Sequence, residues 1–262
     1  ADPFTDVPGS AALSSLDALG HELAHRWLAY PMLDSLGTSV LSALGRGLSH
    51  WSFFFDSDGS IMEGNDWWRV GPDSFMTGPI GVGYGQVDQY LMGLRSAAET
   101  DTFLTIGNLQ DPQPPGTYRK NSIPMQGFGC RGTGSAWTVA NIVGAEGPRA
   151  PSAGVAPTHW RMGVVLLTER GVPASGADLA KLEAIRANFP AWFAAATGGR
   201  GTIDVTLDSR AGAVAIRHAP VPDTEDALTP RAIGARVTIT PGSVPIALAP
   251  GTVTLNHRGA GG

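Results

Sequence analysis

The sequence predicts an α+β fold, and three observations carry that prediction. Residues 15–30 and 175–197 repeat apolar side chains at helical spacing, while short apolar or alternating runs between and beyond them have the length of strands. The 35 Gly and 20 Pro among 262 residues require long loops without reaching a low-complexity composition. With 42% hydrophobic and 16% charged residues, the chain suffices for a sizeable core in one main domain with an appendage. A shift toward Ala, Pro, Val and Thr sets the expected boundary, with a main domain over 1–210 and a β-rich C-terminal segment over 211–262.

In the first helix, Leu16, Leu19, Leu23, Trp27 and Tyr30 gather on one stripe at about 100° per residue. Ser14 and Asp17 form a capping box in which Asp replaces Glu, and Pro31 stops the pattern, so a helix is bounded near residues 15 and 30. His21 and His25 lie nearly opposite the stripe and one turn apart, with Glu22 beside the first, an H-E-x-x-H pattern turned toward a cleft. Two imidazoles at that spacing can hold one zinc ion, and the neighbouring carboxylate can handle a proton.

Gly45 and Gly47 precede His50, and Trp51 to Phe55 reads as a strand able to pass beside that helix. Asp56 to Glu63 alternates carboxylates around a Gly but lacks the full ligand series of a calcium loop, so an acidic turn is expected. Tyr84 to Leu94 reads as a short helix. Asp111–Thr117 and the glycine-rich Gln126–Gly134 read as loops, the second without the Gly-Lys-Ser/Thr ending of a phosphate loop. Cys130, the single cysteine, excludes an internal disulfide framework and a cysteine-based zinc site. The setting of His159 gives it no thiol-protease partner, and the expectation is a partly buried, unreactive thiol.

Met162 to Thr168 is a short apolar run expected as a buried strand. Ser175 and Asp178 then open a second helix with the stripe Leu179, Leu182, Ile185, Phe189 and Phe193, which Pro190 should kink or break and Gly198 and Gly199 should close. Ile203, Val205 and Leu207 alternate as a half-buried strand. In the tail, Pro220–Asp226 has the composition of an interdomain segment, Val237–Thr240 and Thr252–Leu255 read as strands, and His218 and His257 as surface residues. Such a tail either packs on the main domain or begins a truncated β-sandwich module.

The net charge of −5 and the lack of a basic stripe argue against a nucleic-acid partner, and no window approaches 18 uninterrupted apolar residues, so no transmembrane segment is expected. Beginning at Ala1 rather than Met and without a signal peptide, the chain reads as a mature form or a fragment.

On His21, Glu22 and His25 the chain resembles the zincins, the H-E-x-x-H zinc metallopeptidases. Leu48–Asp56 (L-S-H-W-S-F-F-F-D), Ile61–Asn65 (I-M-E-G-N) and Val87–Leu94 (V-D-Q-Y-L-M-G-L) resemble segments of uncharacterised secreted bacterial proteins with a metallopeptidase-like helix, a likeness spanning roughly residues 10 to 210. The resemblance implies a zincin-like core with an active-site helix, a mixed or antiparallel sheet and long loops. It also implies Zn2+ as cofactor, a peptide or protein as substrate, and an extracellular or periplasmic location.

A catalytic zinc takes three protein ligands and leaves a fourth position for water. The metzincin continuation fails, because Leu28 and Pro31 stand where that pattern has Gly and His. His50, Glu63, Asp66 and Asp88 are the candidates for the third ligand, with His50 ranked first, then Asp88 in a loosely aspzincin-like setting, then Glu63 in a gluzincin-like one. An oxyanion donor is also needed, and His50, Tyr84 or Tyr90 could serve, with Tyr90 the choice. The expected function is therefore a zinc-dependent endopeptidase in which His21, His25 and His50 hold the metal and Glu22 is the general base. The alternatives are a catalytically inactive binding or adhesion module, and a hydrolase of a non-peptide bond such as an amide of a cell-wall component.

Overall fold

The computed structural model describes residues 14–164, 166, 168 and 172–205, and the backbone of strands at 215–219, 233–240 and 252–257. It divides into two compact units, Ala1–Val205 and Thr206–Gly262, a few residues before the compositional break.

The first unit runs α1 (Ser15–Ala24), β1 (Leu33–Ser35), β2 (Thr38–Val40), β3 (Trp51–Asp56), β4 (Glu63–Asn65), β5 (Trp67–Arg69), β6 (Ser74–Thr77), α2 (Gln86–Met92), β7 (Phe103–Gln113), β8 (Gly129–Trp137), α3 (Val139–Glu146), β9 (His159–Arg161), α4 (Gly176–Ala196) and β10 (Thr202–Asp204). Six strands form one mixed sheet in the order β4-β3-β7-β8-β6-β5, and only β3 with β4 is parallel. The unit is thus α+β, with four helices among the described residues. β1 and β2 form a hairpin, and β9 and β10 pair in parallel on either side of α4 in the chain.

The core lies in two clusters, and β3 contributes to both. Trp51 and Phe55 join Ala24, Tyr84, Phe189 and Phe193 in one; Phe53 joins Trp67, Phe75, Ile106 and Phe128 in the other. Residues 51, 53 and 55 of a regular strand would share a face, but the register of β3 shifts between Trp51 and Asp56, which sends Phe53 to its own cluster.

Four expectations change in the structure. The first helix stops at Ala24 rather than near Tyr30: both Trp27 N–H and Leu28 N–H turn back to the Ala24 carbonyl, and Tyr30 is exposed. Its deepest burial is at Asp17, Gly20 and Ala24, between the half-buried leucines and the histidines. The stretches read as loops at 111–117 and 126–134 lie partly in β7 and β8, which pair over most of their length. Glycine has low strand propensity, but Gly134 faces the Phe75 ring and Gly132 the Gly107 carbonyl so closely that a side chain would collide at either position.

The apolar run 162–168 is not a strand at its described positions; the strand lies just before it, at β9. Finally, α4 runs unbroken through Pro190 to Ala196, held by the buried Phe189 and Phe193 on either side, and Gly198 and Gly199 close it with φ of +61° and +75°. Asp56 to Glu63 does form a tight turn, with Asp58, Gly59, Glu63 and Gly64 all at positive φ.

The second unit contains β11 (Ala215–Ala219), β12 (Ile233–Thr240) and β13 (Thr252–His257) in one antiparallel sheet of that order. The segment Pro220–Asp226, Leu207 and the side chains of His218 and His257 lie outside the described residues. No helix among the described residues is long and apolar enough to cross a membrane.

Candidate metal centre

The N-terminus of α1 is set by local chemistry. Ser14 Oγ accepts from Asp17 N–H at 3.1 Å while Asp17 Oδ2 accepts from Ser14 N–H at 2.8 Å. Packing then fixes the helix axially: Trp192 Nε1 donates to Asp17 Oδ1 at 2.8 Å, and Tyr84 Oη donates to the Gly20 carbonyl at 2.9 Å. Glycine suits position 20, since a Cβ would lie 1.9 Å from the Trp192 ring as it is placed.

His50 arrives from a different device. Residues 45–50 form a tight reversal in which Gly45 N–H donates to the His50 carbonyl at 2.8 Å, with Gly47 and Leu48 at positive φ. A Cβ at Gly45 would sit 2.6 Å from the Trp51 carbonyl, so the close crossing requires glycine. The turn is tied to the end of α1 by Ala29 N–H on the Ser49 carbonyl, and to α2 by Trp51 Nε1 on Asp88 Oδ1 at 2.7 Å.

Together these elements bring His21, His25 and His50 into one triangle, with ring centroids 4.9 to 5.1 Å apart. One nitrogen of each lies within 4.8 Å of the others, and among the described residues no other group of three His, Cys, Asp or Glu side chains converges so. Each Nδ1 faces a backbone carbonyl: His21 that of Ile61 at 2.8 Å, His25 that of Leu28 at 3.4 Å and His50 that of Arg46 at 2.9 Å. A carbonyl can only accept, so each Nδ1 carries the proton and each Nε2 presents its lone pair. The Nε2 atoms of His21 and His50 are 3.1 Å apart. Arg46 Nη2 stands 2.7 Å from the same His50 nitrogen, and tetrahedral zinc sets its nitrogen ligands about 3.4 Å apart. The donor set therefore fits zinc in type and tautomer, and its His21–His50 pair also in spacing.

Electrostatics agree with neutral imidazoles. Burial, followed by the neighbouring His21, holds His25 below the ordinary histidine pKa. Burial does the same to His50, against the opposing pull of the Arg46 carbonyl and Glu63. Glu22 is exposed on the same helix, and its charge is felt at His25.

The other candidates lie elsewhere. Asp88 is buried, and its oxygens accept from Trp51 Nε1 and from Gly85 N–H at 2.8 Å; burial pushes its pKa to about 7. It fastens β3 to α2 and takes no part in the triad. Asp66 stands beside Trp68, between β4 and β5. Glu63 approaches His50 Nε2 only to 4.0 Å and is bound instead to Arg46. Tyr84 spends its hydroxyl on Gly20, and Tyr90 is packed in the core and lines a cavity of about 240 Å³ with Trp27, Tyr30, Ile142 and Arg149. Cys130 is buried at the second cluster, where desolvation raises its thiol pKa to about 11, consistent with an inert thiol. Arg46 is a residue that sequence reasoning missed, and its signal was its place between Gly45 and Gly47, four residues before His50.

Compared with protein families, with characterised proteins and with solved structures, the chain matches none.

Proposed function

We propose that the protein is a zinc-dependent hydrolase of the zincin type, most simply an endopeptidase, with His21, His25 and His50 as ligands. The observation that supports this reading is the convergence of three imidazoles whose Nδ1 protons are all committed to backbone carbonyls, beside an exposed glutamate on the same helix. When bound, zinc supplies Lewis acidity that activates a water near neutral pH and polarises a carbonyl.

Glu22 accepts a proton from the attacking water at its carboxylate. The water oxygen bonds to the carbonyl carbon, and the π pair moves onto the carbonyl oxygen. On collapse the C=O bond re-forms, the C–N bond breaks, and Glu22 returns its proton to the leaving amine. Burial favours the neutral imidazole at His25 and His50, and a backbone carbonyl holds the Nδ1 proton of each of the three histidines.

Zinc content measured on wild type, His21→Ala and Glu22→Gln, with casein digestion on the same samples, tests the proposal. Expected are one zinc per chain in wild type and Glu22→Gln, loss of zinc in His21→Ala, and digestion by wild type alone. A zinc-free wild type sinks the reading; zinc without digestion of casein or cell-wall material turns it to the inactive binding module.

A further inference from the structure

A guanidinium stands against the histidine triad. Arg46 Nη2 is 2.7 Å from His50 Nε2, the nitrogen whose lone pair belongs to the site, and Arg46 Nε and Nη2 both donate to Glu63 Oε1, at 2.9 and 2.5 Å. Glu63 is the half-buried end of this pair and Arg46 the open end, with side chains 21% and 56% exposed. Glu63 is itself set by the turn, at φ +72° and with its carbonyl accepting from Ser57 Oγ at 3.1 Å.

Arginine never loses its proton in a protein, so it cannot be a ligand. An ordinary surface ion pair has no reason to place an N–H on an imidazole lone pair. A metal held by the three histidines would take up that lone pair and free the N–H, with Glu63 still holding the guanidinium. A cationic donor tethered by Glu63 would then stand beside the three nitrogens, as is needed to steady negative charge developing on a substrate oxygen.

Resting on the zinc-hydrolase reading, we propose that Arg46 binds the oxyanion formed on the scissile carbonyl oxygen, the role the sequence suggested for Tyr90, and that Glu63 is its positioning residue.

Inorganic phosphate is a tetrahedral oxyanion, and its affinity for the zinc-loaded protein is measurable by calorimetry independently of turnover. Wild type, Arg46→Lys, Arg46→Ala and Glu63→Gln are compared, with zinc content determined for each and casein turnover followed with and without added guanidinium ion. Zinc is expected in all four. Phosphate affinity should fall about tenfold or more in Arg46→Ala and recover in part in Arg46→Lys, while kcat falls about 10²- to 10³-fold with little change in KM. Guanidinium ion should restore part of the Arg46→Ala rate, and Glu63→Gln should lower kcat in the same direction but less. Phosphate affinity that is equal, or absent, in zinc-loaded wild type and Arg46→Ala overturns the role of Arg46 alone. A wild type that takes up no zinc overturns the hydrolase reading, and this inference with it.

Discussion

Helices α1 and α4 start from the same device and serve opposite ends. Ser14 caps Asp17 N–H and Ser175 caps Asp178 N–H, each at 3.1 Å, and each Asp answers the N-cap backbone. From there α1 runs 10 residues and α4 runs 21. The short helix presents small residues, Gly20 and Ala24, to the core and carries His21 and His25 on its polar face; the long one supplies bulk, through Phe189, Trp192 and Phe193. A helix that packs through small residues can lie close to its support, here with the Trp192 ring directly over Gly20. The division of labour is testable helix against helix.

The largest difference should come from matched carboxylates. Glu22→Gln on α1 removes the carboxylate proposed as proton acceptor and should cut casein turnover about 10²- to 10⁴-fold. Glu183→Gln on α4 breaks only an exposed pair with Arg186 and should leave turnover unchanged and stability within about 0.5 kcal/mol. Equal losses in the two variants would erase the contrast.

The contact between the helices ranks next. Trp192→Ala removes the ring over Gly20 and the hydrogen bond to Asp17, and should cost about 3 kcal/mol in urea unfolding. Gly20→Ala forces a Cβ into that ring and should cost about 1–3 kcal/mol. In the Trp192→Ala background the Gly20→Ala penalty should largely vanish, because the colliding atoms are gone; additive penalties would mean that the helices do not meet here.

How far these features could be read in advance follows the range of the forces behind them. Both capping boxes and the H-E-x-x-H spacing are local, and Ser14, Asp17, His21 and His25 could be read directly. His50 was legible as an imidazole just ahead of an apolar strand. The end of α1 was not, because the turn after Ala24 depends on contacts such as Ala29 N–H on Ser49 O, which couple distant segments. β8 was hidden because its glycines carry no strand propensity of their own; its pairing with β7 and the close approach of Phe75 to Gly134 are tertiary facts. Asp88 and Tyr90 misled because a polar group near a motif in sequence is as easily a buried anchor as a ligand. Arg46 and Glu63 acquire meaning only once the 45–50 reversal and the 56–63 turn bring them to one place.

Acid should act on the α1 side of the molecule. His25 and His50 have lowered pKa values in the folded protein, while the unfolded chain titrates at the ordinary 6.5. Below 6.5 the unfolded state binds protons that the fold resists, so this contribution to stability is complete above 6.5 and is lost as pH falls toward the lowered folded values. Metal-stripped wild type compared with His25→Asn from pH 7.5 to 5 isolates the effect from the carboxylates both share, among them Asp56, which burial raises to about 7. The stability gap should narrow on acidification; a gap independent of pH would mean that the fold does not lower the pKa of His25. Zinc added to wild type should deepen the dependence, because protons and metal compete for the same Nε2 atoms.

The smallest effects belong to the caps. Ser14→Ala and Ser175→Ala each remove one side-chain acceptor from a helix N-terminus and should each cost about 1 kcal/mol in chemical denaturation. Their consequences should separate in zinc affinity. Ser14 stands two turns from His21 on a ten-residue helix, so fraying there loosens Asp17, its bond to Trp192 and the register of both histidines. Ser175 begins a stretch where Leu179 is 52% exposed, and the contacts that hold α1 lie near the far end of α4, at Trp192. Fraying of the first turn of α4 should therefore stop short of the site. A chelator competition titration should show weaker zinc binding in Ser14→Ala and wild-type binding in Ser175→Ala. Equal affinities in both would show that α1 is held by its packing against Trp192 and Tyr84 alone, with its cap contributing stability but no precision to the triad.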